Sequence, residues 1–220
     1  MIEIAHRGHS IFYKDNTIKA FIDAFENDFE MIELDVVLTK DKKVAIYHDT
    51  FIDNKLIKDL KYLELKKIDK DIILFESFFK MININKINIY IDIKGNNEIS
   101  KYLHAILKEK SKEELENIYL ASFNTLILND LQQLNSSYQF GLITENLFEN
   151  DTYSHYINKF NLKFIAFNWT MLNKNTIDFL HKNKILVFTY TCNNNNTLLF
   201  MKKFNIDGII TNYKINKLLN

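Results

Sequence analysis

The chain has 220 residues, 47% of them apolar and 25% charged, enough to bury a real core in one large α/β domain. Lysine plus arginine balances aspartate plus glutamate at 28 each, which excludes a global field drawing the chain to nucleic acid or an anionic membrane and makes any phosphate recognition local. The lone cysteine, Cys192, excludes an internal disulfide framework. With no leader before MIEIAHRG and no apolar run near the roughly 20 residues of a transmembrane helix, the expectation is a soluble, unprocessed, cytoplasmic protein.

In chain order, residues 2–6 (IEIAH) form a short apolar strand that runs into His6, Arg7 and Gly8. Apolar residues then return at spacings of three and four across 17–29, as in an amphipathic helix. Residues 31–37 (MIELDVV) form a second strand. Residues 39–43 are too few for a helical crossover, so 44–47 should fold back as a hairpin strand. A two-residue turn at Asp41 and Lys42 would place His48 opposite Asp35.

Residues 60–68 and 76–82 read as helical. Further strands follow at 88–93, 117–121, 138–143, 163–168, 185–190 and 207–211, separated by helical patterns at 100–108, 125–134, 151–160, 176–182 and 197–204. The four asparagines at 193–196 read as a loop opening the last helix. Eight strands with helices after them predict a compact (β/α)8 barrel in one domain, 1–220, with an open doubly wound sheet as the alternative.

A barrel gathers its chemistry at the carboxyl ends of its strands, and alternate strand residues share a face. Glu33 and Asp35 therefore point inward together from the second strand, and Asp92 and Lys94 do the same from the strand at 88–93. Three carboxylates inside a barrel repel one another and resist desolvation unless a cation lies between them. All-oxygen ligands select a hard ion, Mg²⁺ or Ca²⁺. The plainer alternative is Lys94 pairing with Glu33 or Asp92 as a structural bridge.

His6 at the end of the first strand and His48 on the hairpin would flank this cluster as an acid and base pair. His9, His104, His155 and His181 lack such placement and read as structural. Arg7 offers a fork of donors to a phosphate, and Gly8 lets the backbone approach an anion. The alternative for Arg7 is a salt bridge to Asp15 or Asp35.

The segments AHRGHS, DNT, ELDVVLT, VAIYHD, IYIDIKG, ASFN, VFTYTCN and DGIITNY, in this order, resemble the motif series of the glycerophosphodiester phosphodiesterase family over residues 4 to 213. The resemblance implies a TIM barrel of the phospholipase C-like phosphodiesterase type and metal-dependent hydrolysis of a glycerophosphodiester to sn-glycerol 3-phosphate and an alcohol. Substrates of that kind include glycerophosphocholine and glycerophosphoethanolamine. It further implies Glu33, Asp35 and Asp92 as metal ligands, His6 and His48 as the catalytic pair, and Arg7 and Lys94 as phosphate ligands. The chain departs from the family in carrying Asp15 where glutamate is usual, Asp92 where the third ligand is often glutamate, and Tyr190 where a tryptophan is common.

A longer insertion over the barrel mouth is missing between His48 and residue 88. A lysophospholipase D or sphingomyelinase D-like activity is therefore the runner-up, and a phosphodiester-binding barrel without catalysis is the third reading. Phe12, Phe123, Trp169 and Tyr190 fall at strand ends or mouth loops, where aromatic faces could hold a choline cation or simply pack.

Overall fold

The computed structural model describes residues 1–215. Its strands are β1 (Ile2–Ala5), β2 (Met31–Leu38), β3 (Val44–Ile46), β4 (Phe51–Ile52), β5 (Lys55–Leu56), β6 (Ile73–Leu74), β7 (Asn88–Ile93), β8 (Ile118–Ser122), β9 (Gln139–Thr144), β10 (Leu162–Asn168), β11 (Leu186–Tyr190) and β12 (Gly208–Thr211). The helices are α1 (Ile18–Glu26), α2 (Tyr62–Ile68), α3 (Phe75–Phe78), α4 (Ile99–Leu107), α5 (Lys112–Glu116), α6 (Thr125–Leu134), α7 (Asn150–Phe160), α8 (Lys174–Lys182) and α9 (Asn195–Met201).

β1, β2 and β7 to β12 pair in parallel in the order β1-β12-β11-β10-β9-β8-β7-β2, and β1 pairs with β2 to close the cylinder. The closing seam is short. Only Ile4↔Met31 and Ala5↔Ile32 pair across it, whereas β2 and β7 stay in register from Met31↔Asn88 to Val36↔Ile93.

The alternation along each strand sorts two cores. Ile32, Leu34 and Val36 face out against α1, α3 and α4 in the layer between sheet and helices, with Phe21, Phe78 and Leu103 among their neighbours. Met31, Tyr90, Phe164, Phe188 and Ile210 fill the barrel interior. The interior is tight enough that a Cβ on Gly141 would come within 2.1 Å of the Phe164 ring. A smaller apolar cluster around Ala45, Ile57 and Leu65 sits under the β2–β3 hairpin and supports it from outside the barrel.

Thr17 caps α1 by accepting from the Ala20 N–H, and Ser111 with Glu114 forms a capping box on α5. The sequence pattern did not reveal α5, the β4–β5 ribbon or β6, and the helix expected over 76–82 ends at Phe78.

The hairpin register corrects the expected pairing. The loop has three residues: Thr39 and Lys43 close it, and Lys42 adopts a left-handed conformation with φ 62°. Val36 therefore pairs with Ile46, and Asp35 accepts the Tyr47 N–H at 3.1 Å, one residue short of His48. Among the described residues, no helix is long and apolar enough to cross a membrane.

Candidate active site

Glu33 and Asp35 leave β2 on its inward face, and Asp35 stands level with Asp92 of β7 in the register. The three carboxylates are buried, and one oxygen from each lies within 4.8 Å of the others. Burial and then the Asp35 charge push the Glu33 pKa well above the carboxylate range. Burial likewise raises Asp92 to about 7 despite Lys94, with the Asp35 charge adding to the rise.

Two cations answer this cluster. Arg7 bonds Asp15 through Nη1 at 2.9 Å and approaches Asp35 through Nε at 3.1 Å. Lys94 reaches Asp92 at 2.6 Å and Asp35 at 3.2 Å. Burial works against the charge on both, yet the facing acids hold both pKa values above their ordinary range. The structural alternatives for these two residues, the Arg7 bridges to Asp15 and Asp35 and the Lys94 bridge to Asp92, are thus present as well. They do not exhaust the acids, because the buried Asp92 Oδ1 has no partner. Three converging carboxylates, with the unsatisfied Asp92 Oδ1 among their oxygens, fit a hard divalent cation that would displace their protons.

The backbone is bent to serve the site. Arg7 has φ 56° and its N–H donates to Glu33 Oε2 at 2.8 Å. Gly8 follows with φ 81° and lies so close to the α1 backbone that a Cβ there would fall 2.6 Å from the Ala20 carbonyl carbon. Asn16, with φ 55°, both donates to Asp35 Oδ2 at 2.8 Å and accepts the Asp35 N–H at 3.2 Å. These bonds from Arg7 and Asn16 to Glu33 and Asp35 cross the short seam between β1 and β2.

His6 and His48 line the same cavity of about 220 Å³ with the three acids, Arg7 and Lys94. His6 Nδ1 lies 2.7 Å from the side-chain oxygen of Asn212, just past β12. Accepting at that oxygen fixes the proton on Nδ1 and leaves Nε2 with its lone pair. Burial, then Arg7, lowers the His6 pKa to about 4, so the ring is neutral at physiological pH. His48 Nδ1 lies 2.6 Å from Asp49 Oδ1, and there the acceptor is a carboxylate, which orients the ring and keeps a proton on Nδ1.

Phe123 and Tyr190 stand at the cavity mouth, ring centroids 6.2 Å apart and nearly perpendicular, with Glu145 beside them. Trp169 is a correction, because its ring packs against Phe200 at 5.7 Å and does not line the cavity. Phe164 and Ala166 of β10 face the interior, so Trp169 has the outward parity and joins the helix layer. Phe12 lies edge-on to His9 at 5.2 Å.

The remaining histidines have structural partners or neighbours: His9 pairs with Asp23, His104 with the Tyr138 hydroxyl and His181 with Asp207, and His155 lies against Tyr156. Asn16, Asp49, Glu145 and Asn212 are site residues that sequence reasoning missed. Asp49 had a signal, since an acid beside a histidine is a usual orienting partner. Asn212 and Glu145 had none before the strands were closed into a ring.

Residues 6–215 match the Glycerophosphoryl diester phosphodiesterase family. The chain is 30% identical over 230 residues to a glycerophosphodiester phosphodiesterase of Caldanaerobacter subterraneus subsp. tengcongensis, covering 95% of this chain and 93% of that one. Among solved structures it is similar to an Oleispira antarctica phosphodiesterase in complex with the product sn-glycerol-3-phosphate, with TM-score 0.88, 18% identity, and 100% and 96% of the two chains covered. A Thermotoga maritima glycerophosphodiester phosphodiesterase gives TM-score 0.81 at 24% identity over 96% of this chain and 94% of that one.

Proposed function

This chain belongs to the glycerophosphoryl diester phosphodiesterase family, and from that membership we propose that it hydrolyses glycerophosphodiesters to sn-glycerol 3-phosphate and an alcohol with the help of Mg²⁺ or Ca²⁺. The relatives bearing this activity by name support the reaction, and the Oleispira protein's bound sn-glycerol-3-phosphate supports the product. A single catalytic domain working in a reducing cytoplasm fits the lone cysteine.

Glu33, Asp35 and Asp92 would hold the divalent ion, which, when bound, supplies neutralisation of the charge gathering on the phosphate oxygens. Arg7 and Lys94 stand beside those acids as fixed cations for the phosphate. His6 Nε2, unprotonated because Asn212 holds the proton on Nδ1, takes the proton of the attacking hydroxyl, from water or from the substrate's neighbouring glycerol hydroxyl. His48 Nε2 gives its proton to the departing alcohol oxygen, and Asp49 at Nδ1 holds the ring so that Nε2 faces the cavity. The observation that carries the reading is this unequal pair of imidazoles, one held by an amide and one by a carboxylate, lining one cavity with the acid triad.

Leaving-group chemistry tests the assignment. His6→Ala should lower kcat by about 10²–10⁴ on both an alkyl diester and a p-nitrophenyl diester. His48→Ala should do so on the alkyl diester alone, since p-nitrophenolate departs without a proton. Equal losses on the two esters in the His48 variant would remove it from the acid role. Glu33→Gln should abolish stimulation by divalent ions, and unchanged metal affinity in that variant would take Glu33 out of the ligand set. Glycerophosphocholine and glycerophosphoethanolamine are the first deacylated substrates to assay, with and without chelator. Faster release of choline from an acylated diester would replace this reading with a lysophospholipase D.

A further inference from the structure

A second cavity, of about 260 Å³, lies outboard of the candidate active site between the β2–β3 hairpin, the turn at Ile57–Asp59 and the loop after β7. His48 and Lys94 line both cavities, so these two side chains are the wall between them. In-line displacement at phosphorus sets the entering and departing oxygens on opposite sides. His6 lines only the inner cavity, held by Asn212 past β12, whereas His48 on the hairpin faces both. The group that leaves on the His48 side has the outboard cavity to occupy. A third cavity also touches His48, but Lys94 does not line it, and Asp15, Asp49, Asp69 and Asp71 do. Of its lining residues His48 alone also lines the candidate active site, so it does not open onto the phosphate position between Arg7 and Lys94.

We propose that the outboard cavity is the pocket for the leaving alcohol and that it takes a compact polyol in preference to a quaternary ammonium group. The inference rests on the phosphodiesterase reading above. In the step, a P–O bond forms from the attacking hydroxyl, whose proton goes to His6. The P–O bond to the polyol breaks, and its oxygen takes the proton of His48.

Three features of the lining set the class. No phenylalanine, tyrosine or tryptophan lines it, and its one ring is the proton-donating His48, so the cavity has no π face for choline. Its two acids are engaged, Glu98 with Lys42 at 2.8 Å and Asp49 with His48 at 2.6 Å, while Lys58 has no ion-pair partner among the described residues. A cationic head group therefore meets more ammonium than free carboxylate. Leu38 and Ile57 give an aliphatic floor for the C–H face of a polyol, and Thr50, Asn96 and Lys58 give hydroxyl, amide and ammonium partners for its oxygens. The volume is below the ~300–1,000 Å³ of pockets that hold drug-sized ligands, so an acyl chain does not fit inside it.

The test uses the full chain with sn-glycerol 3-phosphate esters of methanol, choline, glycerol and inositol. The glycerol and inositol esters should show kcat/KM at least tenfold above the choline ester. Thr50→Trp and Asn96→Trp, two exposed positions on different loops, should each lower kcat/KM for the inositol ester at least tenfold through KM and leave the methyl ester within twofold. The methyl ester reports that each variant is folded and catalytic. A choline ester cleaved as well as the polyol esters would overturn the polyol assignment. A filled cavity that leaves the inositol ester untouched, or that slows methyl and inositol esters equally, would overturn the pocket. Failure of the wild-type chain on all four esters would instead sink the phosphodiesterase reading, and this inference with it.

Discussion

Asp49 does for His48 what Asn212 does for His6, with the difference that it is charged, and that difference separates the two roles. Asp49→Asn should keep an acceptor at His48 Nδ1, and so the tautomer, while removing the carboxylate. It should lower kcat on alkyl diesters by about tenfold or more and spare p-nitrophenyl diesters. An unchanged kcat on alkyl diesters would reduce Asp49 to a spacer. At the metal ligands, burial and the Asp35 charge keep a proton on Asp92 up to about pH 7 in the metal-free protein. An entering cation must displace that proton and the one that burial favours on Glu33, so affinity for Mg²⁺ or Ca²⁺ should weaken by at least about tenfold per pH unit as pH falls below 7. Titration calorimetry at pH 5.5, 6.5 and 7.5 checks this, and a flat affinity would mean the carboxylate is already ionised.

At the scale of strands and turns, the barrel interior is built around glycines facing aromatic rings. Gly141 of β9 faces Phe164, which is boxed in by Tyr90 at 5.2 Å and Phe188 at 4.8 Å, so the ring has little room to yield. Gly141→Ala should cost about 1–3 kcal/mol, read as a fall in Tm, and Phe164→Leu in the same chain should recover part of the loss. Period-two alternation made the eight barrel strands legible to within a residue at each end, because the outward positions of β2, Ile32, Leu34 and Val36, are apolar without a break while Glu33 and Asp35 interrupt the inward ones. The same parity, applied to β10, would have turned Trp169 away from the cavity. The hairpin register was not legible, since a two-residue and a three-residue loop both satisfy the apolar pattern, and the left-handed Lys42 that decides between them is not a glycine. Asn16 and Asn212 were hidden for another reason: each joins segments far apart in sequence, and only closure of the ring brings them to Asp35 and His6.

For the molecule as a whole, Cys192 gives a probe of opening. Its sulfur is buried beside β12 and burial pushes the thiol up to about 11, so at pH 8 it should react with disulfide reagents only as fast as the barrel opens. Saturating divalent ion should slow that labelling in the wild-type chain and leave it unchanged in Glu33→Gln; labelling that ignores the ion in both would mean the acid cluster has no part in global stability. The reason to expect coupling lies in the short pairing of β1 with β2. Two backbone rungs join those strands, and directly above them Arg7 and Asn16 clasp Glu33 and Asp35. Turnover and barrel integrity thus draw on shared bonds. A descendant that abandoned hydrolysis and let these polar groups drift would begin to unzip along this edge, unless new contacts stapled its first strand back in place.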